Sequence, residues 1–204
     1  RFNKGVDYVG DVNRFSNEFD QDTAVIVHAI NEFHLPGNLK LSIHSGSDKF
    51  SIYSPIHRTL RKFDTGVHIK TAGTTWLEEL IGLALAGGDG LAIAKEVYRR
   101  AFGRFDELCE PYVTVIDIDK NRLPALDEVA GWDEKTFADS LRHDQSCPGY
   151  NPDFRQLLHV GYKIAAQMGD CYLDALKKHD KIIGHNVTEN IFNRHLKPIF
   201  MGQI

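Results

Sequence analysis

Apolar residues recur along this chain in two periods, and the switches between them mark its elements. Phe15, Phe19, Ile26, Ile30 and Phe33 fall at helical spacing, predicting a helix over Val12 to Phe33 that Pro36-Gly37 stops. The period then shortens to two. Leu41 and Ile43 point to one face of a predicted strand while Ser42 and His44 point to the other, and in a second strand Val67 and Ile69 oppose His68 and Lys70. Each strand runs into a turn of small residues, Ser45-Gly46-Ser47 or Thr71-Ala72-Gly73, and then into a helix. The second of these helices is expected to start at a capping box, Thr75 with Glu78, and to reach about Leu85. Gly87-Gly88-Asp89-Gly90 separates it from another helix over about Leu91 to Cys109, and Val113 to Asp117 has the composition of a third strand.

Beyond this point prolines and acidic residues punctuate 121–151, which reads as a long surface connection with a short helix near Trp132 to Leu141. From Pro152 the helical period returns, with Phe154, Leu157, Leu158, Gly161, Ala165 and Met168 on one face. A last helix runs from about Leu173 to Leu196, with Gly184 as the point of interruption. Alternating strands and helices imply parallel pairing through crossovers, so the expected fold class is α/β. The expected division is a single or partial domain over 1–204, with βα units over 1–120, a connection over 121–151 and a helical tail over 152–204. The first eleven residues look like a loop already in progress, and the chain reads as a piece of a longer protein.

Composition narrows the function classes. The 204 residues are 42% hydrophobic and 25% charged, enough for one sizeable core. A net charge of −4 gives no basic field for a phosphate backbone, so nucleic acid is not expected as a partner. No apolar run approaches the ~18 residues that span a bilayer, and no signal-peptide pattern opens the chain, so a cytoplasmic protein without a membrane partner is expected. Cys109, Cys147 and Cys171 have neither disulfide nor zinc-site spacing and read as ordinary thiols.

Parallel strands are normally apolar on both faces, so polar residues at their carboxyl ends ask for a reason, and an active site at the carboxyl edge of a barrel supplies one. His44 precedes a helix amino terminus where a ligand would meet free N–H donors. His68 lies two residues before Lys70 on the same face. A strand-end Lys70, if buried, needs an anion, a lowered pKa or a salt bridge, so it is a candidate catalytic residue or substrate clamp. Asp48 suits either a helix start or acid/base work. Lys49, and Lys4 in the opening loop, are candidates to bind a carboxylate or phosphate, and Ser45, Gly46, Ser47 and Thr71 complete the expected substrate contacts. His159, with Arg155 and Tyr162 at helical neighbour spacing, reads as a solvated face; His28, His34, His57, His179, His185 and His195 read as surface groups.

Four runs carry a resemblance. Arg1 to Asp11, His44 to Tyr53, His68 to Glu78 and Arg155 to Lys163, in this order and followed by Asn186 to Asn190, resemble the bacterial tagaturonate epimerase family along nearly the whole chain. The resemblance implies the carboxyl-terminal portion of a TIM-barrel-like enzyme that depends on a divalent metal and interconverts the ketouronates tagaturonate and fructuronate. Those two sugars differ at a carbon β to the ketone, which proton exchange α to the carbonyl cannot invert, so retro-aldol cleavage and re-addition is the expected route. A metal held by His44, with His68, would stabilise the enediolate; imidazole ligands suit Zn, Ni, Co or Mn. Two other readings stand beside it, an aldolase-type enzyme with a Schiff base on Lys70 and a non-catalytic fragment without a complete site; under each of them open sheet edges lead us to expect self-association.

Overall fold

The computed structural model describes residues 1–43 and 48–202. Helix α1 spans Val12–Phe33, its first turn held by the Asp11 carboxylate, which accepts from the Asn13 and Arg14 N–H groups. Strand β1, Ser42–Ile43, lies parallel to β2, His68–Ile69, with Ser42 opposite His68, and helix α2, Tyr53–Phe63, forms between them. A strand–helix–strand unit is therefore present as expected. The rest is helical: α3 Ala72–Leu85, α4 Gly88–Gly103, α5 Phe105–Cys109, α6 Leu126–Gly131, α7 Glu134–Leu141, α8 Pro152–Val160, α9 Tyr162–Met168, α10 Asp170–Lys178, α11 Asp180–Thr188 and a closing π-helix, Glu189–Met201.

Helix α3 is the hub of the packing. Its sequence is apolar on nearly every side, and a helix of that kind is stable only when surrounded. It packs against α4, α7, α8, α10 and α11. The main apolar core gathers around it, with Leu77, Leu80, Tyr98, Phe137, Phe154 and Leu157 fully buried. A second, smaller core joins α1, α2, the two strands and Ile199 of the closing helix.

Several expectations are corrected. Val113–Asp117 forms no strand, because its backbone groups are taken by other partners: the Val115 carbonyl accepts from the Lys4 N–H (2.7 Å), and the Gln156 amide both accepts from the Asp117 N–H and donates to its carbonyl. Helix α3 begins before the supposed capping box, so Thr75 lies inside the first turn and its N–H donates to the Thr71 carbonyl (2.8 Å). One helix expected over 91–109 is two, parted at Arg104. The tail breaks at Gly161, Gly169 and His179, while Gly184 lies inside α11. Segment 121–151 is not confined to the surface: α7 sends Phe137 and Leu141 into the main core. Among the described residues the two strands are two residues each, so helices dominate this α/β arrangement.

Gly82 is a point of tight contact between α3 and α11. A Cβ there would sit 2.8 Å from the Ile183 Cα, whereas one at Gly184 would meet nothing within 4 Å. Gly82→Ala is therefore expected to destabilise the fold by about 1–3 kcal/mol through overpacking, and Gly184→Ala to be neutral or stabilising by up to about 1 kcal/mol. Urea denaturation of the two variants checks this.

Candidate functional site

His44, Ser45, Gly46 and Ser47 lie outside the described residues. His68 and Lys70 are both exposed, because the short sheet is covered on one face only and these positions take the other. The burial assumed in singling out Lys70 is thus not found. Thr71 is half-buried at the start of α3, and its side chain makes no capping bond.

Asp48 and Lys49 are instead fully buried. Asp48 starts no helix. Its Oδ2 accepts from the Arg155 guanidinium at 3.1 Å, and its Oδ1 from the Thr74 hydroxyl at 3.3 Å. Two imidazoles approach the same carboxylate, His143 Nδ1 at 3.3 Å and His195 Nε2 at 3.1 Å, neither in well-aligned hydrogen-bond geometry. Burial alone would raise the Asp48 pKa, but the Arg155 charge and the two imidazoles hold it well below the usual carboxylate range. The other ring nitrogen of His195 lies 2.9 Å from the Asn190 carbonyl. An oxygen thus faces each ring nitrogen of His195. Burial lowers the pKa of His143, with Asp48 pulling the other way.

Arg155 extends the network to two other segments of chain. Its Nε donates to the Gly5 carbonyl (2.8 Å) and its Nη1 to the Leu141 carbonyl (2.7 Å). Lys49 acts in parallel: its ammonium donates to the Asn3 and Val6 carbonyls, so it fixes the opening loop rather than waiting for a substrate carboxylate. Burial brings the Lys49 pKa down to about 8. Nearby Glu78, on α3, accepts from the Asn190 side chain at 3.0 Å, and burial raises its pKa.

Arg155, His159 and His195, expected on the surface, are all buried, and His143 carried no motif that singled it out. The available signal was α8 itself. Arg155 and His159 sit in Phe154-Arg-Gln-Leu-Leu-His-Val160, where apolar neighbours on both sides left little solvent face for them.

A cavity of about 750 Å³ lies beside the start of α3, next to the carboxyl end of β2. Distant segments make its wall, among them Lys4 from the opening loop, Gly73 and Trp76 from α3, His159 and Tyr162 from α8 and α9, and Tyr172 from α10. Lys4, a candidate from the sequence, is half-buried with its ammonium 4.8 Å from the centre of the Tyr112 ring. Tyr172 donates from its hydroxyl to Glu79 at 3.2 Å on the same wall.

Among the described residues no group of three or more His, Cys, Asp or Glu side chains is placed to hold a metal ion. Asp48, His143 and His195 come together, but Arg155 already satisfies the carboxylate. Of the two expected ligands, His68 points to solvent and His44 lies outside the described residues. Among the described residues no helix is long and apolar enough to cross a membrane.

A ligand-sized, aromatic-walled cavity at the end of a parallel strand is the layout of a small-molecule site. The chain belongs to the tagaturonate epimerase (UxaE) family, whose pattern matches residues 1–199. It is 29% identical over 200 residues to the tagaturonate/fructuronate epimerase of Thermotoga maritima, covering 95% of this chain and 35% of that protein. It also matches the crystal structure of the glycerol-complexed fructuronate-tagaturonate epimerase UxaE from Cohnella laeviribosi with a TM-score of 0.72 and 26% identity, over 98% of this chain and 37% of that one. The chain thus spans about a third of the length of these relatives. Three of the four runs that carried the resemblance contribute to the cavity wall, through Lys4, through Trp76 and through His159.

Removing one side of a buried ion pair leaves the other charge without a partner. Arg155→Met is expected to cost about 3–5 kcal/mol in urea denaturation at neutral pH. The folded Asp48 carboxyl titrates well below its ordinary 3.8, so its stabilising contribution is fully present above that value and is lost as pH falls through the depressed one. Stability measured against pH should show this acid loss in the wild type and a shallower one in Asp48→Asn.

Proposed function

We propose that this chain is the carboxyl-terminal portion of a TIM-barrel-like epimerase that interconverts D-tagaturonate and D-fructuronate. The observation that carries the reading is the family match along 1–199, together with a solved epimerase that superposes on nearly the whole chain. The parallel strand–helix–strand unit, with a cavity at its carboxyl end, supports it.

The proposed chemistry is retro-aldol. A base takes the proton from the hydroxyl on the carbon β to the ketone. The bond between the α and β carbons breaks, leaving its electron pair in an enediolate and releasing an aldehyde. Rotation of the aldehyde and re-addition on its other face gives the epimer, with no net change in atoms or electrons. A divalent cation (Zn, Ni, Co or Mn) would supply Lewis-acid stabilisation of the enediolate. His44 stays a candidate ligand, and Lys70 and Thr71, at the carboxyl end of β2, stay candidate substrate contacts. Asp48, ion-paired and enclosed, serves this reading as a positioning residue for the segments around it.

The test is an NMR assay of D-fructuronate conversion by the chain alone and by the chain restored to the length of its relatives, with and without chelator. Turnover is expected in the restored protein, lost on chelation and recovered with one of the four metals. Absence of turnover in the restored protein with every metal would overturn the proposal.

A further inference from the structure

The cavity beside α3 has one unusual electrostatic property. Among the described residues no carboxylate pairs with the Lys4 ammonium; its recorded contact is the face of Tyr112. The other charges on the wall are accounted for. Lys163 donates to Glu107 at 2.7 Å, outside the cavity, and Glu79 accepts from Tyr172. Burial raises the Glu79 pKa and lowers that of Lys4, so both groups lie where water is partly excluded and a charge without a partner is costly. The first turn of α3, the positive end of that helix, adds Ala72 and Gly73 to the same wall.

We propose that this cavity binds a monoanionic sugar acid, with Lys4 as the counter-charge to its carboxylate and the Glu79–Tyr172 pair facing its hydroxyls. This deepens the epimerase reading and rests on it for the identity of the sugar. The volume of about 750 Å³ accommodates a six-carbon acid with room for water. Trp76, buried against the Tyr162 and Tyr172 rings, closes the inner wall; its indole N–H donates to the Leu158 carbonyl at 2.9 Å, which fixes the ring. A single uncompensated cation suits a carboxylate, whereas a phosphate dianion calls for more positive charge.

The experiment is isothermal titration of the chain with D-fructuronate and with D-fructose, which lacks the carboxylate. Saturable binding of the acid is expected, with the neutral sugar about tenfold weaker or more, the worth of one charge-assisted contact. Lys4→Met should lose about the same factor for the acid alone, and Lys4→Arg should restore most of it; thermal melting confirms that both variants fold. Equal binding of acid and neutral sugar, no effect of Lys4→Met, or no saturable binding by the wild type would each overturn the assignment. The two readings fail separately. A restored protein that epimerises with a KM unmoved by Lys4→Met removes this site and keeps the enzyme. Lys4-dependent binding of D-galacturonate by a chain whose restored form does not epimerise does the reverse.

Discussion

The Asp48–Arg155 pair is the constraint on which the arrangement of this chain depends. Both side chains are fully enclosed, and enclosure of two ions costs several kcal/mol each before their attraction returns any of it. A pair of that kind is weak evidence for stability but strong evidence for arrangement, because each partner can be satisfied in one geometry only. Asp48 needs Thr74, His143 and His195 in place, and Arg155 needs the Gly5 and Leu141 carbonyls. Four separate stretches of chain, at Gly5, Thr74, 141–143 and His195, meet the pair. Apolar packing alone would tolerate small slides between helices; directed polar contacts do not.

The network also stands between the two apolar cores. Arg155 is flanked by Phe154 and Leu157 of the main core, while Tyr53 and Phe50, from the smaller one, lie against the ring of His195. The smaller core carries the two strands and the larger one carries α3, whose first turn forms part of the cavity wall. Holding the cores together therefore also sets where the end of β2 lies relative to that wall.

Much of the helical layout could be read from the sequence, since α1 and the division between α3 and α4 follow from apolar spacing and glycine. Position on a face could be read less well. The two-residue rule placed His68 and Lys70 together correctly, but it could not say that their face would meet solvent, because that depends on what packs above a sheet only two strands wide. Val113–Asp117 looked like a strand by composition and is none, since a strand needs a neighbour and this one met the Gln156 side chain instead. Arg155 and His195 were misread for a related reason. A charged residue on a helix is a surface residue by default, and its burial becomes visible only when a carboxylate from more than a hundred residues away arrives to pair with it.

That separation in sequence sets an order of events during synthesis. The Gly5 carbonyl accepts its hydrogen bond from Arg155, 150 residues further on. At ~5–20 residues per second, roughly 8–30 s separate the making of Gly5 from that of Arg155. Until then Lys4 has no cavity to face, since His159 and Tyr162 emerge later still. Helices α3, α4 and α7 are all made before Arg155, so they have time to find one another before the opening loop gains its partner in α8.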